Sequence, residues 1–467
     1  MDLKELKSLF SNLPQVNATA NELQIIGSKI QWKGLVGSSR SLSASAVAMQ
    51  APGNHLFILS DKEQAAYFLN DLQGLFPTNS NILFYPASYR VPYGLEKTDN
   101  ANVVARAEVL EKISTGKNTW IVTYPKALFE KIPSQKTLVK NTLKLEHGKN
   151  YGIDFINEQL LDLNFDRVDF VYEPGQFSIR GGIVDVFSYS NDQPYRIEFF
   201  GDEVDSIRTF DASTQLSINT HKFFNIVPNV QGEMIGGGNV SFFDFLGEHA
   251  AVWLSSYDIT KNTLDKEYKK AVKVYNSIES HVAPTIPDNL FLHPSNLEPK
   301  LKELSVVEFG AEQFFSPTKT LDFNFKPQPS FNKNFNLLAE DLLQRKKNKY
   351  SISIFSNQPK QISRLEQIFA DINTDITYNP IPISLYEGFI SDELNIVCYT
   401  DHQIFERFHR FRLKEGFRQA KQALTLKELH NLQRGDYVTH IDHGVGKFSG
   451  LETIDVNGIV RFICLPD

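Results

Sequence analysis

The sequence has few cysteines, no long apolar run and no excess of positive charge, and each shortage excludes a class of protein. Its 2 cysteines, Cys398 and Cys464, lie far apart without CxxC or Cys/His spacing, which argues against a disulfide scaffold and a zinc site. No apolar run approaches the ~18 residues of a membrane-spanning helix. A net charge of -7 and a pI near 5.9 do not suit a chain that mainly wraps nucleic acid. We therefore expect protein partners and no membrane.

The length and the first residues indicate a multidomain cytoplasmic protein. The chain has 467 residues, of which 41% are hydrophobic, enough for several domains. The opening stretch MDLKELKSLFSNL is charged and amphipathic and lacks the apolar core of a signal peptide, so export is not expected.

Residues 1–136 alternate between strand and helix patterns, which predicts a βαβ layout with a parallel sheet. The predicted strands and helices are, in order, Leu56–Leu59, Asp61–Leu72, Ile82–Tyr85, Asn102–Ile113 and Trp120–Thr123. Because such sheets commonly bind nucleotides, the glycine-rich turn near the start of this region is the place to look for a phosphate site.

That turn, the Gly34–Ser41 loop, reads GLVGSSRS. A phosphate-binding loop has the pattern GxxxxGK[ST], in which the second glycine lets backbone N–H groups surround the phosphates and the lysine reaches the terminal ones. Here Ser39 replaces that glycine, Arg40 replaces the lysine, and Ser41 follows. We interpret the loop as a degenerate phosphate loop without ATP hydrolysis, at a helix N-terminus capped by Ser38 or Ser41.

The stretch from Tyr172 to Asp211 has the pattern of an antiparallel meander. Three runs of alternating residues are separated by turn signals, GG and SND. In the third run, Arg196, Glu198 and Phe200 share one face, because successive side chains in a strand point to opposite sides. Phe200 on this charged face is either an anchor for a partner or is covered by the next turn.

The strings RGGIVDVF and PYRIEFFGDEVDSIRTFD resemble the module that UvrB shares with the family of bacterial transcription-repair coupling factors (Mfd) and that binds UvrA. The resemblance implies that Arg180, Arg196 and Phe200 contact UvrA. It also implies that residues 137–216 form an α+β unit inserted into the first domain, and that residues 217–325 complete the first sheet.

The pattern of residues 326–400 predicts a small α/β unit of unknown role, with one of its strands at Pro382–Tyr386 and no catalytic constellation in its sequence.

Residues 401–428 are basic and interleaved with phenylalanines. We interpret them as an amphipathic linker laid on neighbouring domains, with a nucleic-acid-binding module over residues 401–434 as the alternative.

Residues 429–467 include LQRGDYVTHIDHGVGKFSGLETIDVNGIVRFICL, with strand alternation and a hairpin-type Asn457-Gly458. This stretch resembles the start of the barrel-like RNA-polymerase-interacting domain of the same family, shared with CarD-type proteins, which docks on the polymerase β subunit. The resemblance implies a polymerase contact at Ile454, for which ordinary sheet core is the alternative. Since the sequence stops in this predicted domain, we expect a fragment of a longer protein.

The predicted fold class is therefore α/β multidomain, and the predicted function is a non-catalytic platform that recruits UvrA to stalled RNA polymerase. The resemblance implies that ATP, Mg²⁺ and double-stranded DNA belong to a motor outside these residues, so we expect no cofactor and no metal here. The competing hypothesis is a UvrB-like, ATP-dependent DNA-processing enzyme.

Overall fold

The computed structural model describes residues 1–88, 92–93, 100–230, 238–278, 284–372, 376–409, 435, 437–440, 444–456 and 459–466. The first part of the chain alternates amphipathic helices with short apolar strands that are buried on both faces, as in parallel sheets covered by helices. Its elements are α1 (Leu3–Ser11), α2 (Pro14–Glu22), β1 (Lys29–Lys33), α3 (Ser39–Gln50), β2 (His55–Ile58), α4 (Lys62–Leu75), β3 (Ile82–Tyr85), α5 (Asn100–Ser114), β4 (Trp120–Thr123), β5 (Ile132–Pro133) and α6 (Gln135–Lys140).

The inserted unit comes next and is built around a six-stranded sheet. Its elements are β6 (Leu143–Glu146), α7 (Ile153–Asp162), β7 (Asp166–Arg167), β8 (Gln176–Arg180), β9 (Ile183–Val186), β10 (Tyr195–Phe200), β11 (Glu203–Phe210), β12 (Ser217–His221) and β13 (Phe223–Ile226). The sheet order is β12-β11-β10-β9-β8-β7, and the predicted meander forms β8 to β11. Because β12 pairs with β11 and β13 pairs with β6, the unit extends beyond the boundary predicted at residue 216.

The chain then returns to the first sheet. The elements of this return are β14 (Asn239–Val240), α8 (Phe242–Leu246), β15 (Ala251–Leu254), α9 (Tyr257–Ser277), α10 (Pro287–Leu290), α11 (Leu297–Glu303), β16 (Ser305–Glu308) and β17 (Lys319–Asp322). The completed sheet has seven strands in the order β17-β1-β16-β15-β2-β4-β3, with every pairing parallel. Three strands of this return, β15, β16 and β17, lie in that sheet.

A small α/β unit follows. Its elements are β18 (Phe325–Pro327), α12 (Phe335–Lys347), β19 (Ser351–Phe355), α13 (Pro359–Asp371), β20 (Asn379–Ile381), β21 (Phe389–Ser391), β22 (Ile396–Thr400) and α14 (Asp401–Ile404). Ile404 and Phe405 pack in its core, so residues 401–405 belong to this unit and not to the predicted linker.

The strand predicted at Pro382–Tyr386 is wrong. The strand is β20, which ends at Ile381, and the chain then leaves this sheet. Leu385 is fully buried in the core of the first domain, with Ile383 packed against it. The alternating apolar residues therefore reflect docking onto another domain, a pattern that local sequence does not distinguish from a strand.

The C-terminal strands are β23 (Tyr437–His440), β24 (Gly444–Val456) and β25 (Ile459–Pro466), paired antiparallel in that order. Within the described part of the chain, no helix is long and apolar enough to cross a membrane.

Candidate functional site

The outer face of β10 presents one exposed aromatic side chain at the tip of a hairpin. Tyr195 and Ile197 face the core, whereas Arg196 and Glu198 lie on the opposite face, as the alternation predicts. Phe200 is 83% exposed, so the alternative in which the next turn covers it is excluded. A ring this exposed makes little contact with its own protein and has a large apolar area to bury on another.

A tight turn and a bulge place Phe200 at that tip. Phe200 pairs with Glu203 across a two-residue turn, in which Gly201 has φ +64, a conformation that favours glycine. The register shifts between Glu198 and Phe199, so the strand is locally twisted just before the exposed ring.

On the same sheet, one buried carboxylate accepts hydrogen bonds from two arginines. The side chain of Asp185 is fully buried, and it lies across from Arg196 in the β9–β10 register. Arg196 donates from Nε and Nη2 to the two oxygens of Asp185 at 2.7 and 2.8 Å, and Arg180 donates from Nη2 at 2.5 Å. The hydrogen bond to Asp185 raises the pKa of Arg196 above its ordinary value.

Each of these arginines also lies over an aromatic ring. The guanidinium of Arg196 is 4.5 Å from the ring centre of Phe210, and that of Arg180 is 5.1 Å from the ring centre of Phe170. Phe170 is itself 50% exposed. The arginines are thus fixed in place before any partner arrives, which lowers the entropy cost of binding through them.

The structure therefore brings together Arg180 and Arg196 on Asp185, and it places Phe200 at the end of the same strand as Arg196. Sequence reasoning missed Asp185. The signal was available in the predicted meander, because a hairpin register sets a residue of the second run opposite Arg196.

Farther along the same face, Glu198 accepts hydrogen bonds from the guanidinium of Arg208 and from Ser206 Oγ, the latter at 2.9 Å. The side chains of Arg208 and Glu198 are 33% and 34% exposed, so this pair is solvated, unlike the pair at Asp185. The outer face is thus a set of ion pairs bordered by exposed phenylalanines.

The Gly34–Ser41 loop lies elsewhere, between β1 and α3. Helix α3 begins at Ser39 as expected, but the prediction of a cap by Ser38 or Ser41 is wrong. The hydroxyl of Ser38 accepts from the backbone N–H of Glu387, and the hydroxyl of Ser41 donates to Asp71. Burial lowers the pKa of Arg40, with Glu387 nearby opposing that effect.

The remaining predicted sites lie in the C-terminal part. Ile454 lies on β24, opposite Arg461, and its side chain is outside the described part of the structure. Most of the basic stretch, residues 410–434, also lies outside the described residues. Within those that are described, no group of His, Cys, Asp and Glu side chains is arranged to hold a metal ion.

Comparison with known proteins agrees with this division of the chain. Residues 143–231 match the UvrB interaction domain, and residues 432–465 match the CarD-like/TRCF RID domain. The first match begins at β6 and runs just past β13, so it coincides with the inserted unit.

Three curated relatives, all named transcription-repair-coupling factor, are similar to most of the chain. The one from Bacillus subtilis is 24% identical over 91% of this chain and 42% of its own length. Those from Haemophilus influenzae and Rickettsia conorii are 22% and 24% identical over 96% and 86% of this chain, and over 44% and 41% of their own lengths. The resemblance to transcription-repair coupling factors is confirmed, and the chain spans less than half the length of these relatives.

Proposed function

We propose that this chain is a non-catalytic interaction platform in transcription-coupled repair, which recruits UvrA through the outer face of β10 and contacts RNA polymerase through its C-terminal strands. The carrying observation is Phe200, an exposed ring at the tip of a tight hairpin on the unit that matches the UvrB interaction domain. In this proposal, ATP, Mg²⁺ and double-stranded DNA are ligands of a motor outside these 467 residues.

Phe200 acts as the anchor, and the two arginines act as oriented polar contacts beside it. Because both guanidiniums already share the single carboxylate of Asp185, they offer a partner their remaining N–H groups and one net positive charge. A partner therefore gains most from covering the ring of Phe200, and the fixed arginines set its orientation.

The Gly34–Ser41 loop supports the non-catalytic part of the proposal. The hydroxyl of Ser41 donates to Asp71, so it is engaged by a group of the protein itself. The UvrB-like enzyme hypothesis needs this loop to hold a nucleotide.

The C-terminal match supports the polymerase contact. Residues 432–465 match the CarD-like/TRCF RID domain, and the proposed contact residue is Ile454 on β24. Ile454→Asp is expected to abolish binding of the polymerase β subunit while leaving UvrA binding unchanged.

The test of UvrA recruitment is binding of purified UvrA to the wild-type chain and to Phe200→Ala. Truncating such an anchor costs about 2 kcal/mol, which corresponds to a roughly 30-fold higher Kd. The matched control is Phe155→Ala on α7. Phe155 is 48% exposed, but α7 packs through Ile156 and Leu160 on the opposite face of the sheet. Equal loss of affinity in both variants, or no binding by the wild type, would disprove recruitment through this face.

A further inference from the structure

One segment of the small α/β unit lies directly on the Gly34–Ser41 loop of the first domain. This 384–388 segment (Ser384–Gly388) follows β20 and precedes β21. We propose that it is a permanent occupant of the degenerate phosphate loop, in place of a nucleotide, and that this contact fixes the small unit to the first domain. The role of the small α/β unit is then to fill this loop, and that role does not depend on UvrA recruitment.

Ser38 of the loop is hydrogen-bonded to the segment in both directions, through its backbone N–H and its side-chain hydroxyl. The N–H of Ser38 donates to the carbonyl oxygen of Glu387 at 3.0 Å, and the N–H of Glu387 donates to Ser38 Oγ at 3.1 Å. In a working phosphate loop, backbone N–H groups at this helix N-terminus bind phosphate oxygens. Here a peptide carbonyl takes the place of one such oxygen.

Gly37 shows how close the two segments are. A Cβ at Gly37 would lie 2.9 Å from both Cβ and the carbonyl oxygen of Glu387, and 3.0 Å from the carbonyl oxygen of Gly388. Gly37 also has φ +51, which disfavours any side chain. The glycine thus permits contact with another chain segment, and that segment fills the space above the loop.

A buried carboxylate joins the third element of the phosphate-loop pattern to the same segment. Ser41 occupies the position whose hydroxyl ligates Mg²⁺ in nucleotide-binding proteins. Its Oγ donates to Asp71 Oδ2 at 2.8 Å, and Asp71 Oδ1 accepts from the N–H of Tyr386 at 2.8 Å. Asp71 is 2% exposed. The hydroxyl of Ser41 is therefore linked to the 384–388 segment through Asp71.

The side chain and carbonyl of Tyr386 close the contact. Its ring stacks on Tyr67 with ring centres 3.9 Å apart and an interplanar angle of 15°. Its hydroxyl accepts from Gln64 Nε2 at 3.3 Å, and its carbonyl oxygen lies 2.7 Å from His402 Nε2. The space left beside the loop is about 240 Å³, which is below the ~300 Å³ at which small-molecule sites begin.

Apolar packing fixes the small unit at a second place. Phe10 of α1 stacks on Phe325 with ring centres 5.6 Å apart, and it meets Phe389 edge-on at 5.8 Å. Leu385, Phe389 and Phe325 belong to the same buried cluster as the first sheet. A unit held through both a polar contact and a shared core cannot rotate independently of the first domain.

The test is hydrogen exchange of the whole chain with Asp71→Ala. Loss of the carboxylate leaves the N–H of Tyr386 without its acceptor, and the cost of such a group corresponds to about tenfold faster exchange or more. We expect this acceleration at Ser38 and Glu387 together. Tyr386→Ala is expected to give the same pattern, and Lys62→Ala, on the exposed face of the same helix α4, is the matched control with no change.

Acceleration in only one of the two segments, or in neither, overturns the proposal. The second arm adds millimolar Mg·ATP to the wild type. Unchanged exchange at Ser38 is the expected result, whereas any ATP-dependent change there shows that the segment is displaceable or leaves room for a nucleotide, and overturns permanent occupancy.

Discussion

Arg196→Ala is expected to destabilise the inserted sheet, because Arg196 is a structural partner of a buried charge as well as a candidate binding residue. The substitution removes two charge-assisted hydrogen bonds from Asp185, at 2.7 and 2.8 Å, and leaves that fully buried carboxylate with Arg180 alone. It also removes the contact of the guanidinium with Phe210.

The size of the effect follows from burial. Removing one partner of a buried ion pair costs 3–5 kcal/mol, and the surviving Arg180 contact places Arg196→Ala at about 3 kcal/mol. The matched control is Arg208→Ala on the same face. The Arg208–Glu198 pair is one-third exposed on both sides, so its loss is expected to cost less than about 1 kcal/mol.

The assay has to report on the inserted unit itself. All three tryptophans, Trp32, Trp120 and Trp253, lie on strands of the first sheet, so tryptophan fluorescence does not follow this unit. Hydrogen exchange of the Val184 and Ile197 amides does. At about tenfold for each 1.4 kcal/mol, Arg196→Ala is expected to accelerate their exchange about 100-fold.

Two results would refute this reasoning. One is exchange in Arg196→Ala no faster than in Arg208→Ala. The other is failure of Asp185→Asn to slow exchange in the Arg196→Ala background, because a neutral amide removes the stranded charge. If the reasoning holds, loss of UvrA binding by Arg196→Ala measures folding and contact together, and Phe200→Ala is the cleaner test.

Three further predictions concern the rest of the molecule. Burial raises the pKa of Asp71 to about 6. Its proton stabilises the fold, is fully bound below about pH 4 and is lost as the pH rises through 6. Relative to Asp71→Asn, the thermal midpoint of the wild type is therefore expected to fall across that range, and a constant difference between the two midpoints would contradict this. Gly34→Ala is expected to lower the thermal midpoint far more than Gly116→Ala. Both glycines have positive φ (+77 and +70), but only a Cβ at Gly34 would lie 1.7 Å from the carbonyl oxygen of Phe323. Equal losses of thermal midpoint in the two variants would rule out the clash. Burial raises the pKa of the Cys398 thiol, so mass mapping is expected to find it alkylated only after unfolding, and labelling of the folded chain would show that the site opens.

The periodic parts of the sequence predicted their elements well. Strands β3 and β4 have the predicted bounds, because each is a short run of bulky residues followed within two positions by a proline. The alternation in β10 correctly placed Arg196 on the face opposite Tyr195 and Ile197, and it continues to Phe200 because the register shift adds a residue to β11 and not to β10.

Contacts between distant segments were not predictable in the same way. The hydrogen bond between Ser38 and Glu387 joins residues 349 apart in sequence, and no local pattern encodes it. The same contact explains why the hydroxyl of Ser38 does not cap α3, and why Pro382–Tyr386 is not a strand. The contact between Arg196 and Asp185 was more predictable, because it requires only the register of one hairpin.

The first and last strands of the inserted unit pair with each other, which makes the unit suitable for transfer between proteins. Leu143 of β6 pairs with Ile226 of β13, so the chain leaves the first domain and rejoins it at neighbouring points. A module whose two ends meet can be lost, replaced or transplanted with little change in the geometry of its host. A short loop joining residues 142 and 227 is therefore expected to leave the seven-stranded sheet folded, and the same pair of strands offers a ready junction for grafting the unit, with Phe200 at its tip, onto another scaffold.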